Sequence, residues 1–150
     1  MDRILLQNLK KTFGFDPPEN HGYDVVESIK AMHEKRVKVF IAMGGNFISA
    51  TPDTEYTAEA LKNCNLTVHI STKLNRSHLI HGNNALILPV LGRSELDVQK
   101  TGEQFVTVEN SMGVVHSSKG NMPPISENTI SEPELVCRLS NALFPSVSIP

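Results

Sequence analysis

Three polar loops hold most of the residues whose types and spacing could do chemistry. The first is Gly44-Gly45-Asn46-Phe47, at the end of the apolar run Val37–Met43. Two glycines after a strand permit positive φ and let a ligand touch bare backbone. Asn46 adds a donor and an acceptor, and a helix opening after the loop favours anions at its amino end. A plain tight turn is the competing reading. The second loop is Ser71-Thr72-Lys73-Leu74-Asn75-Arg76-Ser77, dense in hydrogen-bonding side chains. Lys73 and Arg76 could meet phosphate; the rival is a helix cap made by Ser71 or Thr72. The third is Leu88–Asp97, where Pro89 and Gly92 make a turn ahead of Arg93, Glu95 and Asp97. Glu95 and Asp97 could act as an acid/base pair, although a solvated acidic loop explains Asp97 better.

The histidines and cysteines offer less. His78 and His81 are three apart, too few alone for a metal site. His69 falls within a strand and reads as a core histidine. Cys64 and Cys137 are far apart and read as small buried hydrophobes in a reducing, cytoplasmic setting. No Ser-His-Asp arrangement, nucleotide-binding G-x-G-x-x-G or Walker motif is present. No residue stands out as catalytic or as a metal ligand.

The elements that would position these loops follow from hydrophobic periodicity. Residues 1–14 predict an amphipathic helix with Ile4, Leu5, Leu9 and Phe13 near one face, and Pro17-Pro18 and Gly22 mark a linker. We therefore expect an N-terminal helix and linker over residues 1–22 and an α/β domain over 23–150. A helix is predicted from about Tyr23 to Arg36, a buried strand over Val37–Met43, and a helix capped by Asp53 or Thr54 through about Asn63. Strands follow at Leu66–Ile70 and Ala85–Leu88, with a short helix between them and Gly82 past its end. A fourth strand is expected at Phe105–Val108, and a last helix over Glu132–Leu143 with Ser131 as its cap. Apolar strands alternating with helices predict a three-layer α/β fold, a mostly parallel sheet covered on both faces. Ligands of such sheets lie at the carboxyl ends of the strands, where all three loops fall.

Bulk properties narrow the class. The 150 residues carry 14 basic and 16 acidic side chains, a net charge of −2, which gives no field to attract nucleic acid or anionic lipid. No apolar stretch approaches the roughly 20 residues needed to span a bilayer, and no signal peptide is evident. Aromatic residues are 5% of the chain, with no Trp, so base-stacking platforms are not expected.

Read together, "VFIAMGGNFISATPD", "LTVHISTKLNRSHLIHGNNALILPVLGRSELD" and "VTVENSMGVVHSSKG" resemble the molybdopterin oxidoreductase family, in particular its formate-dehydrogenase-like, YdeP-type branch. The resemblance runs from about Val37 to Leu143. The family pattern is a strand ending in a Gly/Asn-rich turn, a strand ending in a polar pair, and an "ADVVLP"-like strand followed by an acidic residue. The counterparts are Gly44-Gly45-Asn46, Ser71-Thr72, and Ala85–Pro89 with Glu95. Ser71-Thr72 stands where the common pattern has Asp.

The resemblance implies a Rossmann-like inner domain, part of a larger enzyme built around a bis-molybdopterin-guanine-dinucleotide (bis-MGD) centre with molybdenum or tungsten. It leaves room for an iron–sulfur cluster in the full-length protein. By analogy Gly44, Gly45, Asn46 and Phe47 would approach the dinucleotide. Ser71, Thr72, Lys73 and Asn75 would meet its guanosine end, with Glu95 on the same crest. The implied partners are the remaining domains of a longer chain and a small substrate, formate being the family expectation. This chain alone would then be an inactive piece of an oxidoreductase. The alternative is a free-standing α/β nucleotide-binding module without redox activity.

Overall fold

A computed structural model describes residues 3–145. The elements run α1 (Arg3–Phe13), α2 (Val25–His33), β1 (Val39–Met43), α3 (Phe47–Ala50), α4 (Thr54–Lys62), β2 (Leu66–Ser71), a 3₁₀ turn (Arg76–Leu79) and β3 (Asn84–Pro89). Four short strands follow, β4 (Val98–Gln99), β5 (Gly102–Glu103), β6 (Val106–Glu109) and β7 (Val115–Ser118), then α5 (Glu132–Leu143). β1, β2 and β3 form a parallel sheet in that spatial order, with Ile41, Val68 and Leu86 side by side across it.

Alternation along the strands divides the core between the two faces of the sheet. On one face Phe40 packs with Ile29 and Met32 of α2, Ile48 of α3, and Ala60, Leu61 and Cys64 at the end of α4. On the other, Val68, Ile70 and Val90 pack against Leu135 of α5. The three-layer α/β architecture expected from the sequence is therefore present. Helix starts follow their caps. Asp24 and Asp53 accept from Glu27 N and Tyr56 N at 2.8 and 2.9 Å, each worth about 1 kcal/mol. Ser131 stands at the N-cap of α5, but its side chain makes no capping bond.

Two expectations change. Phe105–Val108 is not a fourth strand of the parallel sheet: β6 pairs antiparallel with β7 in a separate hairpin. Asn110 closes the turn, its Oδ1 accepting from Met112 N and Val114 N, and Gly113 adopts φ 75°. Gly82 lies past the end of the 3₁₀ turn, whose C-cap is Ile80, as expected. It is also a close-approach position, because a Cβ there would lie 2.1 Å from the Cys64 carbonyl oxygen. Finally, α3 is an extra short helix directly after the glycine loop. α1 forms as expected, but none of its described residues is buried.

Candidate functional site

The carboxyl ends of β1, β2 and β3 form a crest, and the loops there are tied together. Gly44 and Gly45 both have positive φ, 66° and 65°. Ordinary side chains pay about 1–2 kcal/mol in that region, so the backbone itself calls for glycine at both positions. A Cβ built at either would meet nothing within 4 Å. The side of the loop facing away from the protein is therefore open, as a backbone-approach loop requires.

A short hydrogen-bond chain fixes this loop to the one after β2. Asn75 Nδ2 donates to the Gly45 carbonyl at 2.7 Å. The buried Ser77 hydroxyl donates to Asn46 Oδ1 at 2.7 Å and accepts from Ile48 N at 3.0 Å. Neighbouring parallel strands bring the two loops together, and these side chains lock them. Asn75 also caps the 3₁₀ turn, its Oδ1 accepting from Ser77 N. Neither Ser71 nor Thr72 is the cap, which leaves both hydroxyls without a hydrogen bond among the described residues. Lys73 is exposed beyond them.

On the β2–β3 side of the crest lies an open cavity of about 550 Å³. Thr72, Arg93, Glu95, Gln104, Ser131 and Glu132 contribute to its wall. Glu95 is held by backbone donors: its two carboxylate oxygens accept from Gly92 N at 2.6 Å and Ile125 N at 2.7 Å. Gly120 lies against the Glu95 backbone, where a Cβ would stand 2.0 Å from the carbonyl oxygen. Glu95 is thus a latch that joins three segments around the cavity. Arg93 is in no ion pair among the described residues, and the amino end of α5 opens on the same cavity through Ser131 and Glu132. The Ser131 hydroxyl is buried without a partner. An unpaired guanidinium, a helix amino terminus and free hydroxyls suit an anionic or polar ligand group.

The nine residues singled out from the sequence thus fall into two sets. Gly44, Gly45, Asn46, Ser71, Thr72 and Lys73 present backbone or side chains along the crest. Phe47, Asn75 and Glu95 hold it in shape; the Phe47 ring packs 5.0 Å from that of Phe40, tilted by 47°, on the core side. Sequence reasoning missed Gln104 and read Ser131 only as a cap. Their place on the cavity wall beside the loops after β2 and β3 depends on contacts between segments far apart in the chain, and no local pattern announces it.

The chain is similar throughout its length to parts of longer proteins. No family model matches it. It is 50% identical over 151 aligned positions to an uncharacterized oxidoreductase of Mycobacterium bovis, covering 100% of this chain and 19% of that protein. The same identity and coverage hold for an uncharacterized oxidoreductase of Mycobacterium tuberculosis. Those relatives are named as oxidoreductases. Protein YdeP of Escherichia coli K12 is 44% identical over 140 positions, 93% of this chain and 18% of that protein. The chain therefore spans about a fifth of the length of the curated relatives it matches.

Behind the crest, His69 is buried on β2, its ring 4.8 Å from that of His78 and edge-on to Phe40. Nε2 of both histidines is buried without a partner. Among the described residues no group of three or more His, Cys, Asp or Glu could hold a metal ion. Burial first, and then the neighbouring His78, push the His69 pKa below its ordinary 6.5. The folded state therefore keeps this ring neutral. Above pH 6.5 both folded and unfolded chains leave it so, and no stability is lost. As pH falls below that value, the unfolded chain takes up a proton that the native ring refuses, and stability declines until the folded-state pKa is passed. Urea midpoints are expected to fall from pH 7 to pH 5, and to fall less steeply in His69→Gln. Equal slopes for the two proteins would rule His69 out as the cause.

Proposed function

We propose that this chain forms part of the dinucleotide-binding α/β domain of a molybdopterin-guanine-dinucleotide-dependent oxidoreductase, formate-dehydrogenase-like in its chemistry. The observation that carries this reading is the crest. Two adjacent positive-φ glycines with open space beside them are hydrogen-bonded to a polar loop that leads into a cavity with a free Arg93. Exposed backbone suits a diphosphate, and the end of a parallel strand is where a nucleotide is held in such sheets. Similarity over the whole chain to proteins named as oxidoreductases supports the same reading.

The residues present fit such a group. Gly44 and Gly45 would offer backbone to the pyrophosphate, and Asn46 its amide. Ser71, Thr72 and Lys73 would face the nucleoside end, with Arg93 and the α5 amino terminus available to a second polar group. When bound, the cofactor would supply two-electron redox chemistry on a small substrate such as formate, and this domain would orient it. In this reading the cofactor carries the reaction, and none of these side chains is assigned a step on the substrate. The purified 150-residue chain should therefore show no turnover.

The test is metal and pterin content of the full-length protein from the source gene, produced in a cofactor-competent host. Molybdenum or tungsten together with pterin guanine dinucleotide is the expected result. Their absence from soluble, folded protein would overturn the proposal and favour a plain nucleotide-binding module.

A further inference from the structure

The first strand does not match its surroundings. β1 reads Val-Phe-Ile-Ala-Met, apolar at every position. Such runs belong to parallel strands buried on both faces inside a sheet. Here β1 is an edge strand, bonded among the described residues only to β2. One of its faces is open: Val39, Ile41 and Met43 are 49%, 54% and 44% exposed. The row across the sheet shows how far the cover reaches. Val68 in the middle is buried under Leu135, while Ile41 beside it is exposed.

A free edge normally carries a guard: a charged side chain, a proline or a bulge. Val39–Met43 has no charge and no proline, and its register with β2 runs without interruption. The opposite edge does have one. β3 ends in Pro89, and the next residue, Val90, is bridged by Ile130. That guard stands at the end of β3 only, and Leu86 and Ile87 along it are exposed as well; β1 differs in having no guard anywhere along its length.

We infer that β1 is an interior strand of a wider sheet, and that an extended apolar segment of the same longer polypeptide, outside residues 1–150, pairs along its outer edge and shields Val39, Ile41 and Met43. The occupant's source rests on the reading of this chain as part of a longer protein. About four-fifths of the length of the similar proteins lies beyond the matched region, ample chain to supply a strand. A further parallel strand would satisfy the outward N–H and C=O groups of β1, and its own cover would complete the apolar face.

Amide hydrogen exchange of the full-length protein from the source gene, followed by mass spectrometry on peptides spanning residues 37–45, tests this without any substitution. An edge strand in a parallel sheet protects only alternate amides. An interior strand protects them all, so the outward amides of β1 should exchange at least about 100-fold more slowly than freely exposed ones. Fast exchange at alternate positions would overturn the inference. So would protection that disappears on dilution to the monomer, which would identify a second copy as the cover, or a reading frame confined to these 150 residues. The outcome is independent of cofactor content. A protein with a protected β1 but no pterin would lose the proposed function and keep this interface, and the converse result would do the opposite.

Discussion

Adding one methyl group at Gly82 is expected to destabilise the domain by about 3 kcal/mol or more. The Cβ of Gly82→Ala would lie 2.1 Å from the Cys64 carbonyl oxygen and 2.8 Å from its carbonyl carbon. Both are backbone atoms, with no flexible side chain to yield. Gly82 N donates to the buried Thr67 hydroxyl, and Asn83 N to the same Cys64 carbonyl. These contacts seat the start of β3 beside β2. Moving the two backbones apart would strain that seat and disturb the β2–β3 register at its first pair, Leu66 with Asn84. Urea unfolding of the chain reads the effect as a lower midpoint at unchanged slope. A loss below about 1 kcal/mol would mean that the two segments separate easily and that the close approach has little structural weight.

The second large effect is expected at Ser77. Its hydroxyl joins Asn46 Oδ1 to Ile48 N across the two crest loops, and the residue is buried. Ser77→Ala removes a donor and an acceptor at once and leaves a backbone N–H of α3 without its partner. About 2 kcal/mol of stability should go with it. The local consequence separates this from a general loss: the Ile48 amide should exchange sooner, ahead of amides on β2. On the proposed function, the same change in the full-length protein should also weaken retention of a dinucleotide at the crest, because Asn46 and the glycine loop lose their tether. Unchanged exchange at Ile48 would show that the loops are held by other contacts.

The parts of the fold legible in the sequence are those set by local pattern. The apolar runs at β1, β2 and β3 stand between turn residues, and Asp53 marks the start of α4 through its own side chain. The β6 strand was legible as a strand but not as a hairpin. A four-residue run with alternating valines reads alike in a parallel sheet and in an antiparallel pair. Its partner β7 holds a single apolar residue, Val115. The available signal was Asn110 with Gly113, a turn pair too close to β6 for a crossover.

The site divides in the same way. Gly44-Gly45 was visible because only glycine takes positive φ at no cost at two successive positions. The latch of Glu95 onto Ile125 and the cavity wall at Gln104 and Ser131 were not. They depend on contacts between segments far apart in the chain. For Glu95, an acidic residue in a polar loop looks the same from sequence whether it meets a ligand or backbone N–H groups.

The order of strands across the sheet repeats their order along the chain. The β1–β2 and β2–β3 pairings therefore each join segments separated by a single crossover, and neither waits for a distant part of the polypeptide. Closing such short loops is entropically cheap. As a polypeptide leaves the ribosome, β1 can be met by β2, and β2 by β3, in the sequence of their synthesis. The shield of α5 over Val68 and Ile70 arrives later. Until then the nascent sheet has one sealed side and one exposed side, and that interval is when a holding chaperone would find its hydrophobic target.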